Sequence, residues 1–159
     1  MPYEPMIHHR RSIRIPGYDY AVAGYYYVTM CTAERELTLE FANVRDAVYE
    51  VWNGLPKRFP GLDIDEFVVM PNHVHGIIIL QPDARRLVAL ADVMRAFKSI
   101  SAIAGNRVLG RSGRPFWQRN LYERDIRRDR ELDAVREYIR SNPLNWDVDP
   151  ENPARRRTA

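Results

Sequence analysis

Residues 67–80 read FVVMPNHVHGIIIL, and this stretch carries the strongest structural signal in the chain. Two short apolar runs, 64–69 and 74–80, are separated by little more than the turn residues Pro71 and Asn72. So short a connection between two β-type runs predicts a hairpin of antiparallel strands. This hairpin forms the middle of the predicted order of elements.

The hydrophobic pattern predicts five further elements around the hairpin. Aromatic and β-branched residues in GYYYVTMCT predict a buried strand, and apolar residues at helical spacing predict three helices. The resulting order predicts an α+β fold, a ferredoxin-like βαββαβ sandwich: an antiparallel sheet with helices on one face, plus a C-terminal helix that carries Tyr138. The five elements are a strand at 24–32, a helix at 44–59, a helix at 87–104 that Gly105-Asn106 ends, a strand within 116–126 and a helix at 129–141.

A chain of 159 residues that is 45% hydrophobic and 28% charged suits one folded domain and excludes collagen-like and globally disordered classes. Its apolar runs are too short to span a membrane, and no apolar signal core is seen at the N-terminus. The single cysteine, Cys31, cannot form an internal disulfide, which fits a cytoplasmic protein. We expect a basic arm at 1–20, one domain at 21–146 and a tail at 147–159.

The net charge of +3 hides an asymmetry along the chain. Residues 1–84 carry a net charge of −4 and residues 85–159 carry +7, almost all of it from arginine. Guanidinium groups suit phosphate oxygens, so the basic half favours a polyanionic partner. A solvated surface balanced by neighbouring acids is the other interpretation, and charge alone leaves both open.

His73 and His75 begin the second strand of the hairpin. Because side chains alternate along a strand, both imidazoles are expected on the same face. Two neutral imidazoles can share one divalent ion and leave positions for a third ligand, water and a substrate oxygen. Two histidines that only hydrogen-bond loop carbonyls would fit the same pattern.

The segment EYIRSNP, residues 137–143, lies on the last predicted helix. Tyr138 and Asn142 are four residues apart and therefore share one edge of that helix. A tyrosine at the border of the core can act as a nucleophile where a metal or a cation stabilises its phenolate. Asn142 can offer a carbonyl oxygen to the same ion. Alternatively, Tyr138 only packs its ring on the sheet.

Five phrases occur along the chain in this order: RSIRIPGYDY, YYYVTMCT, FVVMPNHVHGIIIL, FWQRNLYERDIR and REYIRSNPLNW. Together they resemble the REP-associated tyrosine transposases, relatives of the single-tyrosine HUH transposases. The resemblance covers about residues 11–153. MPNHVHG followed some sixty residues later by YIxxNP is more specific than either piece. Family members often read RNYYEH where this chain has RNLYER, so Leu121 and Arg124 are departures, outside the metal and nucleophile set.

The resemblance implies that His73 and His75 bind Mg²⁺ or Mn²⁺ and that Tyr138 is the nucleophile. Asn142 stands where related transposases carry a glutamine as third ligand. The implied activity is a single-stranded DNA endonuclease and strand transferase. It would cleave and rejoin hairpin-forming palindromic repeats through a 5′-phosphotyrosine intermediate, as a monomer or a homodimer.

Recognition of single-stranded DNA needs cationic grooves for phosphates and flat side chains on which bases stack. The candidates come from the basic arm, from the loop at 105–115 and from the segment after it. Tyr122 is in addition a second, weaker candidate for the nucleophile. The DNA-binding candidates are Arg10, Arg11, Arg14, Arg111, Arg114, Trp117, Arg119 and Tyr122.

Two other functions stay open. A non-catalytic, domesticated DNA-binding module would recognise such repeats through the same basic face without cutting them. A zinc-type hydrolase would use the histidine pair with water as the nucleophile. It would have to recruit Glu131 or Asp65 as a third ligand, and it leaves the YIxxNP segment without a role.

Overall fold

The computed structural model describes residues 23–81 and 88–154, and every element below lies within them. The predicted order and the α+β class are confirmed. The elements are β1 (Gly24–Cys31), α1 (Ala42–Asn53), α2 (Leu55–Arg58), β2 (Leu62–Met70), β3 (His73–Leu80), α3 (Leu90–Val108), β4 (Tyr122–Ile126) and α4 (Asp129–Ser141), with 3₁₀ helices at Ala33–Arg35, Thr38–Glu40 and Asn142–Val148.

The prediction of one continuous helix at 44–59 is wrong. The chain breaks at Gly54, and α2 then carries Pro56 in its first turn. Inside a continuous helix, the ring of Pro56 would clash with the carbonyl four residues earlier and remove a hydrogen bond. In the first turn of a new helix, the missing N–H costs nothing.

The prediction that Gly105-Asn106 ends the second long helix is also wrong, because α3 continues to Val108. A Cβ atom at Gly105 would lie 2.4 Å from Cε2 of Phe116. Gly105 therefore permits a close approach between helix and aromatic ring. None of the helices in the described ranges is long and apolar enough to cross a bilayer.

The four strands form one antiparallel sheet in the order β2-β3-β1-β4, the order of the predicted sandwich. In this register Thr29 of β1 lies between His75 of β3 and Tyr122 of β4. Directly paired residues share a face, so these three side chains lie in one row across the sheet. Cys31 pairs with His73, which places His73 where β1 ends and β3 begins.

The two faces of the sheet pack against different helices. One face carries Tyr26 and Ile78 and forms a core with α1 and α3, which includes Trp52 and Phe97. The other face carries Tyr27 and Ile77 and packs against Leu132, Val135 and Ile139 of α4. The helices predicted for one face are thus α1 and α3, and the tyrosine-bearing helix covers the opposite face.

Gly76 of the MPNHVHG phrase is required for packing under the histidine strand. A Cβ atom there would lie 2.5 Å from Cη2 of Trp52 and 2.9 Å from Cδ2 of Phe67. Because glycine has no Cβ atom, the Trp52 indole can stack on the Phe67 ring with a centroid distance of 4.1 Å. This stack supports β3 from the side opposite His75.

Candidate functional site

The two histidines of β3 lie side by side beneath α4. Both side chains are fully buried, and their ring centroids are 4.7 Å apart at an interplanar angle of 78°. The alternation of the strand brings both rings to one face, as the sequence predicts. Two imidazoles thus share one enclosed space.

The ring of His75 is oriented by two hydroxyl groups from β1. Its Nδ1 lies 2.9 Å from Oη of Tyr27 and 2.8 Å from Oγ1 of Thr29. The Tyr27 ring also stacks against the imidazole at 5.8 Å and 14°. These contacts at Nδ1 turn the opposite nitrogen, Nε2, toward the space that a ligand would occupy.

The ring of His73 is oriented by Asn72, a residue that the sequence suggested only as part of a turn. The Asn72 side-chain nitrogen donates to the carbonyl of Glu151 at 2.7 Å, so its Oδ1, 2.8 Å from Nδ1 of His73, must be the acceptor. Nδ1 of His73 therefore carries a hydrogen. This assignment follows from the hydrogen-bond network, and it puts the lone pair of the neutral ring on Nε2.

Tyr138 lies on α4 directly against the histidine pair. Its ring meets the His75 ring edge to face, with a centroid distance of 5.6 Å and an angle of 70°. One turn later, the buried Asn142 donates from Nδ2 to the carbonyl of Tyr138 at 2.6 Å. Helical spacing thus keeps Asn142 one turn from Tyr138, whose ring contacts His75.

Two residues that follow α4 lie beside His73: Trp146, the last residue of the predicted domain, and Asp149, which falls in the predicted tail at 147–159. Asp149 is buried, and its Oδ2 lies 3.6 Å from Nε2 of His73. Its Oδ1 accepts a hydrogen bond of 2.8 Å from the backbone of Glu151. Trp146 places its ring 6.2 Å from the His73 ring.

A turn after β1 ties this C-terminal segment to the sheet. Arg35 pairs with Glu151 at 2.7 Å, and Glu36 pairs with Arg111 at 2.7 Å. Glu34 and Arg35 both have positive φ angles, of 54° and 56°. Residues other than glycine rarely adopt positive φ angles, and the backbone strain of this conformation is retained only where surrounding contacts hold it. The sequence carries no local signal for these ion pairs, because their partners are distant along the chain.

Both aromatic DNA-binding candidates are buried, which corrects the prediction that they stack on bases. Trp117 is 5% exposed, and its Nε1 donates to Oγ of Ser101 at 2.9 Å. Tyr122 is 4% exposed and packs its ring against Tyr27 at 5.9 Å. Neither ring has a face open to a base. Burial also removes Tyr122 from contention as a nucleophile.

The arginine candidates divide into three groups. Arg111 is engaged by Glu36 and by Asn106, so it ties the loop to the turn after β1. Arg114 and Arg119 are exposed. Arg119 crowds Lys98, and burial together with this neighbouring charge lowers the pKa of that lysine. The arm residues lie outside the described part of the chain: Arg10, Arg11 and Arg14.

The exposed Arg119 directly follows a segment that pairs with the end of the sheet where His73 lies, whereas the carbonyl of Arg114 accepts a hydrogen bond of 2.7 Å from Nδ2 of Asn106 in α3. Thr32, just after β1, bridges to Trp117, and the backbone of Gln118 donates to the carbonyl of Cys31 at 2.8 Å. Cys31 itself pairs with His73.

Burial raises the pKa of Cys31 to about 12, so it is a protonated thiol at neutral pH.

The carboxylates that a zinc-type hydrolase would recruit are engaged elsewhere. Asp65 forms hydrogen bonds with Arg136, which hold the pKa of Asp65 below its usual value, and Glu131 pairs with Arg124. Across residues 23–81 and 88–154, no three histidine, cysteine, aspartate or glutamate side chains converge to hold a metal. Neither Asp65 nor Glu131 is therefore positioned as the third ligand that the hydrolase interpretation requires.

Comparison with known proteins gives the family. A family model described as Transposase IS200 like matches residues 21–142, most of the chain. The chain belongs to the IS200-like transposase family. A Haemophilus influenzae relative described as an uncharacterized protein is 32% identical to it over an alignment that covers 92% of this chain and 95% of the relative.

Two solved structures share the fold of this IS200-like transposase. One is a REP-associated tyrosine transposase bound to a REP hairpin, with a TM-score of 0.59 and 21% identity over 84% of this chain and 74% of that chain. The other is a structure from Deinococcus radiodurans assigned as a transposase, with a TM-score of 0.54 and 19% identity over 81% of this chain and 96% of that chain. The expected transposase family and fold are confirmed.

Proposed function

We propose that this IS200-like transposase nicks and rejoins single-stranded DNA, with Tyr138 as the nucleophile and His73 and His75 as ligands of a divalent ion. The contact between the Tyr138 and His75 rings, 5.6 Å apart, carries the proposal. It places a phenol beside two buried imidazoles in a family of transposases.

Two imidazole nitrogens and an amide oxygen are proposed to hold the divalent ion, and the resemblance to the HUH transposases implies Mg²⁺ or Mn²⁺. With Nδ1 of His73 engaged by Asn72 and Nδ1 of His75 by two hydroxyls, Nε2 is the ligand atom of each ring. Asn142 is the third proposed ligand through its amide oxygen. When bound, the ion would polarise the scissile phosphate and offset the charge on its oxygens.

In the proposed reaction, Oη of Tyr138 attacks phosphorus and loses its proton to solvent. The bond between phosphorus and the 3′ oxygen breaks, and that oxygen takes up a proton to become a free 3′-hydroxyl. Tyr138 then holds the 5′-phosphate. Attack on this linkage by another 3′-hydroxyl rejoins the strands and returns the phenol. Because the linkage keeps the phosphodiester energy, no nucleotide cofactor is needed.

We further propose that the DNA is a hairpin-forming palindromic repeat. The neighbour of the same fold is bound to a REP hairpin, which supports this class of ligand. Arg114 and Arg119 are exposed, and Arg119 follows the segment that pairs with the histidine end of the sheet; we propose that both contact phosphates. The arm arginines, the choice between monomer and homodimer and the cytoplasmic location remain predictions.

The test is incubation of the protein with labelled single-stranded hairpin repeats and Mn²⁺ or Mg²⁺, followed by a denaturing gel. We expect a covalent protein–DNA adduct with the wild type and none with Tyr138→Phe or His73→Ala. Tyr122→Phe is the matched control, and its adduct should persist. DNA binding without any adduct would contradict the proposal and support a non-catalytic DNA-binding module.

A further inference from the structure

We propose that Trp146 is a stacking platform for the base next to the scissile phosphate, an inference that rests on the proposed function. The chain has three tryptophans, and Trp52 and Trp117 are buried at 1% and 5% exposure. Trp146 is half-buried, and its ring lies 6.2 Å from His73 at a tilt of 36°. A flat side chain with open surface thus borders the proposed reaction centre.

The backbone of Trp146 is held in place before any DNA binds. Its carbonyl accepts hydrogen bonds from the backbone of Asp149 at 3.1 Å and from Nδ2 of Asn152 at 3.0 Å. The same segment is anchored at Glu151, whose carbonyl accepts from Asn72 at 2.7 Å. A platform that is already ordered loses little conformational entropy when a base stacks on it.

The surroundings of Trp146 suit a base better than a phosphate. Leu144 and Val148 flank it on the same 3₁₀ helix and are 87% and 63% exposed. Asp147 is exposed next to it, and Asp149 is buried close by. Carboxylates repel phosphates, whereas uncharged apolar surface accepts the face of any base. The scissile phosphate would then lie toward Tyr138, with the adjoining base over Trp146.

Fluorescence tests this placement without any need for cleavage. Since Trp52 and Trp117 are buried, acrylamide should quench mainly Trp146, and Trp146→Phe should remove the quenchable signal. In a Tyr138→Phe background with Mg²⁺, single-stranded DNA that spans the cleavage site should protect Trp146 from acrylamide. DNA that binds but leaves Trp146 as accessible as before would overturn the inference.

A comparison of protein variants with abasic DNA supplies the second test. Trp146→Ala should weaken DNA binding by between about fivefold and a hundredfold, whereas Trp146→Phe should keep most of it. Moving one abasic site along the single-stranded arm should identify a position that weakens the wild type but not Trp146→Ala. Phe41→Ala, which removes an exposed aromatic ring at the start of α1, is the control and should bind like the wild type.

The outcomes separate the two proposals. If the wild type forms the adduct and binds DNA, but every abasic site weakens Trp146→Ala as much as the wild type, only the role of Trp146 is wrong. If the wild type binds no single-stranded DNA at all, the proposed function and the inference fail together.

Discussion

Nε2 of His73 lies 3.6 Å from Oδ2 of Asp149, and both side chains are buried. The hydrogen bond to Asn72 assigns one ring hydrogen of His73 to Nδ1, so its Nε2 atom faces the carboxylate. A positive charge at Nε2, carried either by a second ring proton or by a bound divalent ion, would balance this buried carboxylate. The pair joins the C-terminal segment to the end of the sheet where His73 lies.

The first prediction concerns Asp149. Asp149→Asn keeps the shape of the side chain and removes its charge, so we expect the affinity for Mn²⁺ to fall by about tenfold. Isothermal titration of the protein with Mn²⁺ measures this change. Asp147→Asn, which removes an exposed charge two residues away, is the matched control, and an equal loss in both variants would contradict the role given to Asp149.

The second prediction concerns Asn72. Asn72→Ala removes the acceptor that holds His73 Nδ1–H and the donor to Glu151, so the ring loses its orientation. We expect a loss of about 10- to 100-fold in Mn²⁺ affinity and a fall of about 1–3 kcal/mol in the free energy of unfolding. Metal titration and urea denaturation measure the two effects. The exposed Asn120→Ala serves as the control and should change neither.

The third prediction concerns Gly76. Gly76→Ala forces a methyl group into the stacked Trp52 and Phe67 rings, so we expect the free energy of unfolding to fall by about 1–3 kcal/mol. Gly54→Ala is the matched control, because a Cβ atom there would approach nothing closer than 3.4 Å. Urea denaturation measures the free energy of unfolding of both variants. If Gly76→Ala were as stable as Gly54→Ala, the space at Gly76 would accommodate a methyl group and the prediction would be wrong.

The fourth prediction concerns the ion pair between Asp65 of β2 and Arg136 of α4, the helix of Tyr138. Hydrogen bonds from Arg136 lower the pKa of Asp65 from its ordinary 3.8. A carboxyl group whose folded pKa is lowered stabilises the fold above its ordinary pKa, and this contribution is lost as pH falls through the lowered value.

Melting temperatures measured from pH 6 down to pH 2.5 test this sign. The wild type should lose stability below about pH 4, and Asp65→Asn should show a flatter profile. Asp63→Asn, at an exposed position of the same strand, should follow the wild type. A profile for Asp65→Asn as steep as that of the wild type would assign the acid sensitivity to other carboxylates.

The fifth prediction separates the arginines of the basic loop. Arg114→Ala with Arg119→Ala should weaken hairpin DNA binding and reduce its salt dependence by about one unit of slope for each phosphate that is no longer neutralised. Arg111→Ala breaks the pair with Glu36 and should lower stability with a smaller change in slope. Binding constants measured across a series of salt concentrations, beside thermal melts, distinguish the two effects. An unchanged slope in the double variant would remove these arginines from the DNA surface.

Much of the fold and part of the site could be predicted from local sequence patterns. Period-two alternation brings His73 and His75 to one face of a strand, and a four-residue interval sets Tyr138 and Asn142 on one edge of a helix. Both relationships depend only on backbone geometry over a few residues. The order of strands and helices follows from the same kind of local pattern.

The tertiary structure alone decided which of these pieces meet and which residues join them. The aromatic candidate Trp117 is buried in the core between the sheet and α3, and the ring of Phe116, from outside the helix, packs directly against Gly105 of α3. The sequence by itself determined the histidine strand and the tyrosine helix. The histidine strand and the tyrosine helix pack together, and Trp146 and Asp149 lie beside His73, only in the folded chain. These contacts join residues some seventy positions apart, and no local periodicity in the sequence encodes them.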